Sequence, residues 1–385
     1  MLYIHIPYCR RKCLYCDFFS GGASVACWPR LTDALLAELQ ERVGELPPRL
    51  ESLYIGGGTP SLMPPVEFRR LMAGVRRIVA EFRREWAEEA EFTIEVNPED
   101  VDEERIRVWQ ECGISRVSVG IQTFSDPLLR HIGRTHTADE ASGALRRLTA
   151  SFRNVSGDLI FGLPGQDMAQ LRRDVERLIA ASPQHVSVYA LMYEEGTALT
   201  ALRDAGRIVP TDDEIVAAQY EALTAMLRDA GFEHYEISNY ARPGYRSRHN
   251  SGYWTGRPYL GIGPSAHSYD GSARRRANPT DLFGYLDRFA PILPGSTTDS
   301  GRVFYTEETL TEDERREERV MLSLRTAEGL CLESYGVDFG ADALMTLLRN
   351  AGPHIVAGRL QRAAGRLALT QSGILVADCV IVDLI

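Results

Sequence analysis

A chain of 385 residues, 44% hydrophobic and 25% charged, is long enough to bury a sizeable core, and two domains are its natural division. The formal net charge of −10 argues against broad electrostatic capture of nucleic acid, and apolar runs stay short of the roughly 18 to 20 residues that span a bilayer. Met1 leads into Leu-Tyr-Ile-His-Ile-Pro without a signal-peptide pattern, so a cytoplasmic protein without a membrane span is expected.

Up to about Asp229, short β-branched or apolar runs alternate with amphipathic stretches, as in repeated βα units around a parallel sheet. Strands are predicted at Tyr3–Ile6, Leu53–Ile55, Phe92–Val96, Arg116–Ile121, Val155–Ile160 and His185–Ala190. Helices are predicted at Leu31–Val43, Glu67–Glu88, Glu103–Cys112, Ala138–Ala150, Ala169–Ala181 and Asp213–Asp229. A Gly-, Pro- and aromatic-rich stretch follows, with His249-Asn250-Ser251-Gly252-Tyr253-Trp254 and Tyr259-Leu260-Gly261-Ile262-Gly263-Pro264, and reads as an ordered connecting region. From Thr311 a charged helix, Glu312–Leu324, opens a second module, with helical stretches near Ala341–Arg349 and Gly373–Leu384 and a strand at Arg366–Leu369. This order suits a small, mainly helical, winged-helix-like domain. The divisions are thus 1–232, 233–310 and 311–385.

The unusual residues fall where the predicted strands end. The first strand runs into a cysteine loop, the second into Gly56-Gly57-Gly58-Thr59-Pro60, the third into Glu95-Val96-Asn97-Pro98. The fourth delivers Gln122, the fifth carries Asp158 and meets Gly162-Leu163-Pro164-Gly165, and the sixth ends at Tyr189-Ala190. In barrel-like α/β folds ligands bind at this rim, because the βα loops converge there. Any one of these loops could be a plain turn; six together point to one site.

Three of the seven cysteines form Cys9-x3-Cys13-x2-Cys16. Thiolates this close can hold three corners of a [4Fe–4S] cubane, leaving one iron open to the amino and carboxylate groups of S-adenosylmethionine. One electron then breaks a carbon–sulfur bond, chemistry that the cofactor supplies and the protein orients. A zinc site with His5 as fourth ligand is the alternative. Cys27, Cys112, Cys331 and Cys379 are scattered and read as packing residues.

Further motifs extend the pattern: His5-Ile6-Pro7-Tyr8-Cys9, Cys16-Asp17-Phe18, Gly56–Leu62, Ser118–Phe124, Asp158–Gln166, Tyr235–Tyr240 and His249-Asn250-x-x-Tyr253-Trp254. In this order they resemble the HemW heme chaperones, a family within the radical S-adenosylmethionine superfamily related to anaerobic coproporphyrinogen III oxidases. The resemblance covers nearly the whole chain. It implies a partial (β/α)6 radical S-adenosylmethionine barrel. It implies cluster ligation by Cys9, Cys13 and Cys16, with Tyr3 and Tyr15 lining the cofactor pocket and Gly57, Gly58 and Thr59 receiving the methionyl amino end. Glu95, Gln122, Arg134, Asp158 and Ala190 match positions around the nucleoside and the methionyl carboxylate. The residue types suit these roles, since carboxylates accept from ribose hydroxyls and a guanidinium fork pairs with a carboxylate. Taken singly, Glu95 or Asp158 could cap a helix and Arg134 could form a surface ion pair.

The family's decarboxylating members carry a further cysteine two residues after the third, where this chain has Phe18, and an N-terminal extension that encloses the porphyrinogen, where eight residues precede Cys9 here. Both differences favour a heme chaperone that delivers heme to apo-hemoproteins over an oxidative decarboxylase. Transient contact with a membrane surface stays open, as does the oligomeric state. His249, Tyr253 and His267 are the candidate heme ligands, Trp254 and Tyr259 candidate porphyrin-facing residues, and Arg274-Arg275-Arg276 candidate partners for propionates. A hydrogen-bonded structural histidine and a solvated Arg run are the plainer readings of the same residues.

Overall fold

The computed structural model describes residues 1–22, 27–291 and 304–385. In chain order the first part contains β1 (Leu2–Ile6), α1 (Trp28–Arg42), β2 (Arg49–Gly57), α2 (Pro65–Glu81), β3 (Glu85–Val96) and α3 (Glu103–Glu111). It continues through β4 (Arg116–Gln122), α4 (Asp126–His131), α5 (Ala138–Ser151), β5 (Asn154–Phe161), α6 (Met168–Ala180), β6 (His185–Ala190), α7 (Ala198–Asp204) and α8 (Asp213–Asp229). The strands β1 to β6 lie side by side in sequence order, each parallel to the next.

Strand alternation divides the sheet into two faces. Leu2, Ile4, Ile6, Leu53, Ile55, Ile94, Val117, Val119, Ile121, Val155 and Val186 are buried in the main core, together with Leu31, Leu35, Phe68, Val75, Leu145 and Leu178 from the surrounding helices. The intervening positions are polar or aromatic and pair in register: Tyr3 with Tyr54, Tyr54 with Thr93, Thr93 with Arg116, Glu95 with Ser118, Ser118 with Ser156, and Asp158 with Ser187. A parallel sheet packed on both faces ordinarily reads as a continuous apolar run. Here one face is polar, and Tyr54 of β2 interacts electrostatically with Tyr189 of β6, four strands along, so the sheet curls with the polar face lining its inside, the chamber of the partial barrel.

One predicted helix is too long. Glu67–Glu88 ends at Glu81, Arg83 takes a left-handed conformation (φ 56°), and β3 begins at Glu85. Helical spacing overran because Trp86 packs edge-on against Phe92 from the strand itself, with ring centroids 4.6 Å apart. The stretch predicted as one helix at Gly373–Leu384 is two, α14 (Gln371–Ile374) and α15 (Ala377–Leu384).

The stretch after Asp229 completes the sheet at both edges. β8 (Asn239–Ala241) adds antiparallel to β6 and β7 (Glu233–Glu236) antiparallel to β8, while β9 (Leu260–Ile262), following α9 (Arg248–Trp254), adds parallel to β1. β10 (His267–Tyr269), β11 (Arg274–Ala277) and β12 (Thr306–Thr309) form a smaller antiparallel sheet joined to β9 by the Tyr259–Tyr269 bridge, with α10 (Leu282–Phe289) packed on α1. Glu38 of α1 fastens this region: its carboxylate accepts from Arg42 (2.8 Å), Asn278 (2.7 Å), the Gly263 amide (2.8 Å) and Tyr285 (2.8 Å).

α11 (Glu312–Leu324), β13 (Leu330–Cys331), α12 (Leu332–Phe339), α13 (Ala341–Val356), β14 (Leu360–Ala363) and β15 (Arg366–Leu369), with α14 and α15, build a second core around Val320, Leu347, Leu367 and Val380. The order helix, strand, two helices, two strands is that of a winged helix. The module meets the free edge of β7 through Ala327 N–H to Tyr235 O (3.0 Å) and Ile237 N–H to Arg325 O (3.0 Å).

Removing one member of a buried ion pair strands the other. Glu38→Ala should therefore lower stability by about 3 kcal/mol or more, read by urea denaturation, and Glu38→Met/Arg42→Met together should cost less than Glu38→Ala alone.

Candidate functional site

The loop leaving β1 is zipped to the end of β2: Gly58 N–H donates to Ile6 O and Thr59 N–H to Tyr8 O, each at 2.7 Å. Tyr8, with its ring edge-on to Trp28 at 4.8 Å, anchors the start of the loop. A methyl group at Gly58 would stand 2.6 Å from Tyr8 O, and one at Gly57 (φ +107°) 2.6 Å from the His5 ring, so both positions require glycine. The far side of the loop is held by Leu14 N–H to Ile132 O (3.1 Å) and Leu199 N–H to Leu14 O (2.8 Å).

Cys9, Cys13 and Cys16 are free thiols on this loop. Thr59 Oγ1 donates to Cys9 Sγ (3.3 Å) and Arg134 Nη1 to Cys13 Sγ (3.5 Å). Burial pushes the Cys16 thiol up to about 11, with Cys13 and Cys9 adding to the rise. His5, the alternative fourth metal ligand, has both ring nitrogens engaged, with Tyr3 Oη (3.1 Å) and Phe19 O (3.0 Å). Phe18 is 62% exposed at the loop's outer surface.

Inside the rim, Arg134 Nη2 donates to Asn97 Oδ1 and Gly120 O, each at 2.8 Å, and its buried Nε has no partner among the described residues. Gln122 follows a bulge and sits in the left-handed region (φ 69°), which L residues occupy only under constraint. Glu95 accepts from Tyr54 Oη (2.7 Å) and the Gly57 amide (3.2 Å). Burial pushes its carboxyl up to about 7, against the pull of those hydrogen bonds. Asp158 accepts from Ser156 (2.9 Å) and Ser118 (3.0 Å), and burial raises it to about 6. Ala190 ends β6 exposed, next to Tyr189. Tyr15 is half-buried beside Cys13 and Arg134, and Tyr3 lies 6.1 Å from Tyr54, ring to ring.

The candidate heme ligands do not share one environment. His249 is fully buried, with Nδ1 2.8 Å from Ser52 Oγ and Nε2 2.9 Å from Tyr253 Oη, so both nitrogens and the Tyr253 hydroxyl are already engaged. Burial, the chain's amino terminus and Arg116 hold the His249 imidazole neutral, at about 3. His267 is exposed on β10, close enough to His5 for the two rings to interact electrostatically, and no hydrogen bond engages its ring among the described residues. The Arg run is occupied: Arg275 binds Glu318 (2.5 Å), and Arg276 binds Glu45 (3.4 Å) and lies over the Tyr305 ring. Arg274 reaches Glu307 only at 4.0 Å. Sequence reasoning missed Tyr54, Arg116 and Ser156, although the alternation in Arg116-Val-Ser-Val-Gly-Ile-Gln marks an inward polar face.

A radical SAM superfamily model matches residues 3–178 and a HemN C-terminal domain model matches 310–376. The chain is 32% identical to the heme chaperone HemW of Bacillus subtilis over 88% of this chain and 86% of that protein. It is 35% identical to HemW of Mycobacterium tuberculosis strain H37Rv, over 99% and 93% respectively. The chain belongs to the HemW family. Among solved structures, coproporphyrinogen III oxidase (HemN) from Escherichia coli, described as a radical SAM enzyme, superposes with a TM-score of 0.83 over 100% of this chain and 89% of its own, at 21% identity. At that identity the likeness shows a common fold, and the partial barrel with a C-terminal helical module is the HemN fold.

A carboxyl raised in the folded state keeps a proton that the unfolded chain has lost, so stability falls as pH rises between the two values. Because Glu95 moves from 4.5 to about 7, Glu95→Gln should flatten the decline in stability between pH 4.5 and 7, measured by urea denaturation at several pH values.

Proposed function

We propose that this chain binds heme and hands it to apo-hemoproteins, and that its barrel holds a [4Fe–4S] cluster and S-adenosylmethionine. The reading is carried by three free thiols set against the glycine-rich end of β2 in a chain of the HemW family. The residues suit both groups. Cys9, Cys13 and Cys16 would ligate three irons, and the glycine-lined backbone at Gly57–Thr59 admits a ligand's ammonium at close range. Arg134, whose Nε has no partner among the described residues, offers a donor for a carboxylate, while Glu95 and Asp158 offer acceptors for ribose hydroxyls. Gln122, Tyr3, Tyr15 and Ala190 would complete the walls. When bound, the pair supplies one-electron chemistry; the chain orients the ligand and shields it from solvent.

For heme, His267 is the candidate iron ligand, because its imidazole is open where that of His249 is closed by Ser52 and Tyr253. His249 and Tyr253 then brace Tyr54, whose ring lies 5.1 Å from His249, and Tyr54 in turn holds Glu95. Among the described residues no helix is long and apolar enough to cross a membrane. The divisions 1–232, 233–310 and 311–385 are proposed as barrel, edge-completing region and C-terminal module.

The test is anaerobic reconstitution followed by heme titration, and separately by incubation with S-adenosylmethionine, a reductant and coproporphyrinogen III. Stoichiometric heme binding without formation of protoporphyrinogen is expected; robust turnover would contradict the chaperone reading. His267→Ala should weaken heme binding by about tenfold or more, a loss of at least ~1.4 kcal/mol. His249→Phe should lower stability and leave the heme affinity of the folded fraction unchanged. Cys16→Ser should lose the cluster and still bind heme.

A further inference from the structure

Beneath Asp158 the chamber floor contains a hydrogen-bonded chain that the cofactor roles above do not use. Ser156 Oγ lies 2.9 Å from Asp158 Oδ1 and 2.8 Å from His185 Nδ1, and His185 Nε2 lies 2.8 Å from Tyr235 Oη. Arg116 Nη2 lies 3.2 Å from the same His185 Nδ1. Ser156, His185, Arg116 and Tyr235 are all buried. The Tyr235 hydroxyl also accepts from Ser247 N–H (3.3 Å), and the Tyr235 carbonyl takes the Ala327 amide of the C-terminal module.

Counting protons shows that these contacts cannot all be satisfied at once. A guanidinium only donates, so Arg116 claims the single lone pair of a neutral His185 Nδ1, and Nε2–H then donates to Tyr235. The one Ser156 proton has three acceptors within reach: Asp158 and His185 Nδ1 at short range, and Ser187 Oγ at 3.3 Å. When Asp158 is ionised, Ser156 donates to it and leaves His185 to Arg116. When Asp158 carries a proton, it donates to Ser156, whose own proton turns to His185 in competition with Arg116. The two shorter contacts therefore make the Ser156 hydroxyl a rotor with two principal positions, each tied to one charge state of Asp158, while Ser187 at 3.3 Å is the weaker partner in both. Arg116 weighs on that balance: its Nε and Nη1 have no partner among the described residues, and its charge favours the carboxylate.

We propose that His185 is a positioning residue, which through Ser156 sets the charge state in which Asp158 is presented to the chamber and so the pH range over which the chamber accepts a ligand donating hydroxyl hydrogen bonds. The inference rests on the reading that this ligand is the nucleoside of S-adenosylmethionine. Other groups facing Asp158 are Ser118 and Arg116 of β4, Ser187 and Tyr189 of β6, and Glu95 of β3. Burial raises Asp158 to about 6. Affinity for the ligand should rise with pH to a plateau as Glu95 and Asp158 ionise, and the Asp158 step, read in a Glu95→Gln background, should by itself lower affinity about tenfold one unit below its midpoint, where that carboxylate is a tenth populated.

The experiment titrates S-adenosylmethionine into cluster-reconstituted protein across pH 4.5–8 for the wild type, His185→Phe, Ser156→Ala and His185→Gln. His185→Phe removes the competing acceptor, leaves the Ser156 proton to Asp158 and should move the midpoint down. Ser156→Ala removes a donor to the carboxylate and should move it up. His185→Gln, which keeps an acceptor and a donor in the slot and guards against loss of folding, should stay closer to the wild type than His185→Phe does. An identical midpoint in all four proteins would overturn the proposal. A wild-type protein that bound no S-adenosylmethionine at any pH would instead overturn the cofactor reading. The relay is then read from the Asp158 carboxyl titration itself, by carbon-13 NMR of the full chain with Asp158→Asn assigning the signal. A downward shift in His185→Phe supports the proposal and an unmoved titration overturns it.

Discussion

The rest of the structure depends on the inversion of the barrel's inner face from apolar to polar. Six parallel strands send Val, Ile and Leu outward onto helices, which leaves the inward positions to Tyr3, Tyr54, Glu95, Arg116, Ser118, Asp158 and His185. Desolvated charge is costly unless paired or bonded. The fold meets that cost with Tyr54 and Gly57 on Glu95, and with Ser118 and Ser156 on Asp158. Both carboxyls still stand well above their ordinary range. A chamber lined this way suits a polar, hydroxyl-bearing guest, and the cysteine loop closes over its C-terminal rim.

The same inversion explains the outer parts. A partial barrel leaves two sheet edges, and unpaired edges invite unwanted pairing. β9 covers one and is fixed by Glu38 and Arg42 of α1; β7 and β8 cover the other, and the C-terminal module caps β7 through Ala327 and Arg325. The winged-helix-like module is thus bonded to the same strand whose Tyr235 reaches the chamber floor.

Strong, long periodicities made much of this legible in the sequence. The strands from Arg116 and His185 and the helix Asp213–Asp229 begin where alternation and amphipathic spacing place them, and the cysteine loop and glycine-rich strand end stand out by residue type alone. Short elements did not show. Leu260–Ile262 has three residues, too few for a period, and takes its conformation from pairing with Leu2–Ile4. Glu85–Glu88 resembles helix because apolar residues continue near helical spacing, and pairing with Arg49 and Leu50 together with the packing of Trp86 on Phe92 makes it strand. His249 illustrates a different limit. Its motif marks an unusual residue pattern, but whether an imidazole is open or closed depends on Ser52, almost two hundred positions away.

In the proposed function the polar chamber beside Cys9, Cys13 and Cys16 seats S-adenosylmethionine against an iron–sulfur cluster. This seating is tested most directly by electron–nuclear double resonance on the reduced, reconstituted protein with S-adenosylmethionine labelled at the methionyl carboxyl carbon and amino nitrogen. A [4Fe–4S] signal coupled to both labels is expected, with the coupling lost in Cys16→Ser. A folded wild-type protein that carries zinc in place of iron, or a cluster signal unchanged by the labelled ligand, would contradict it.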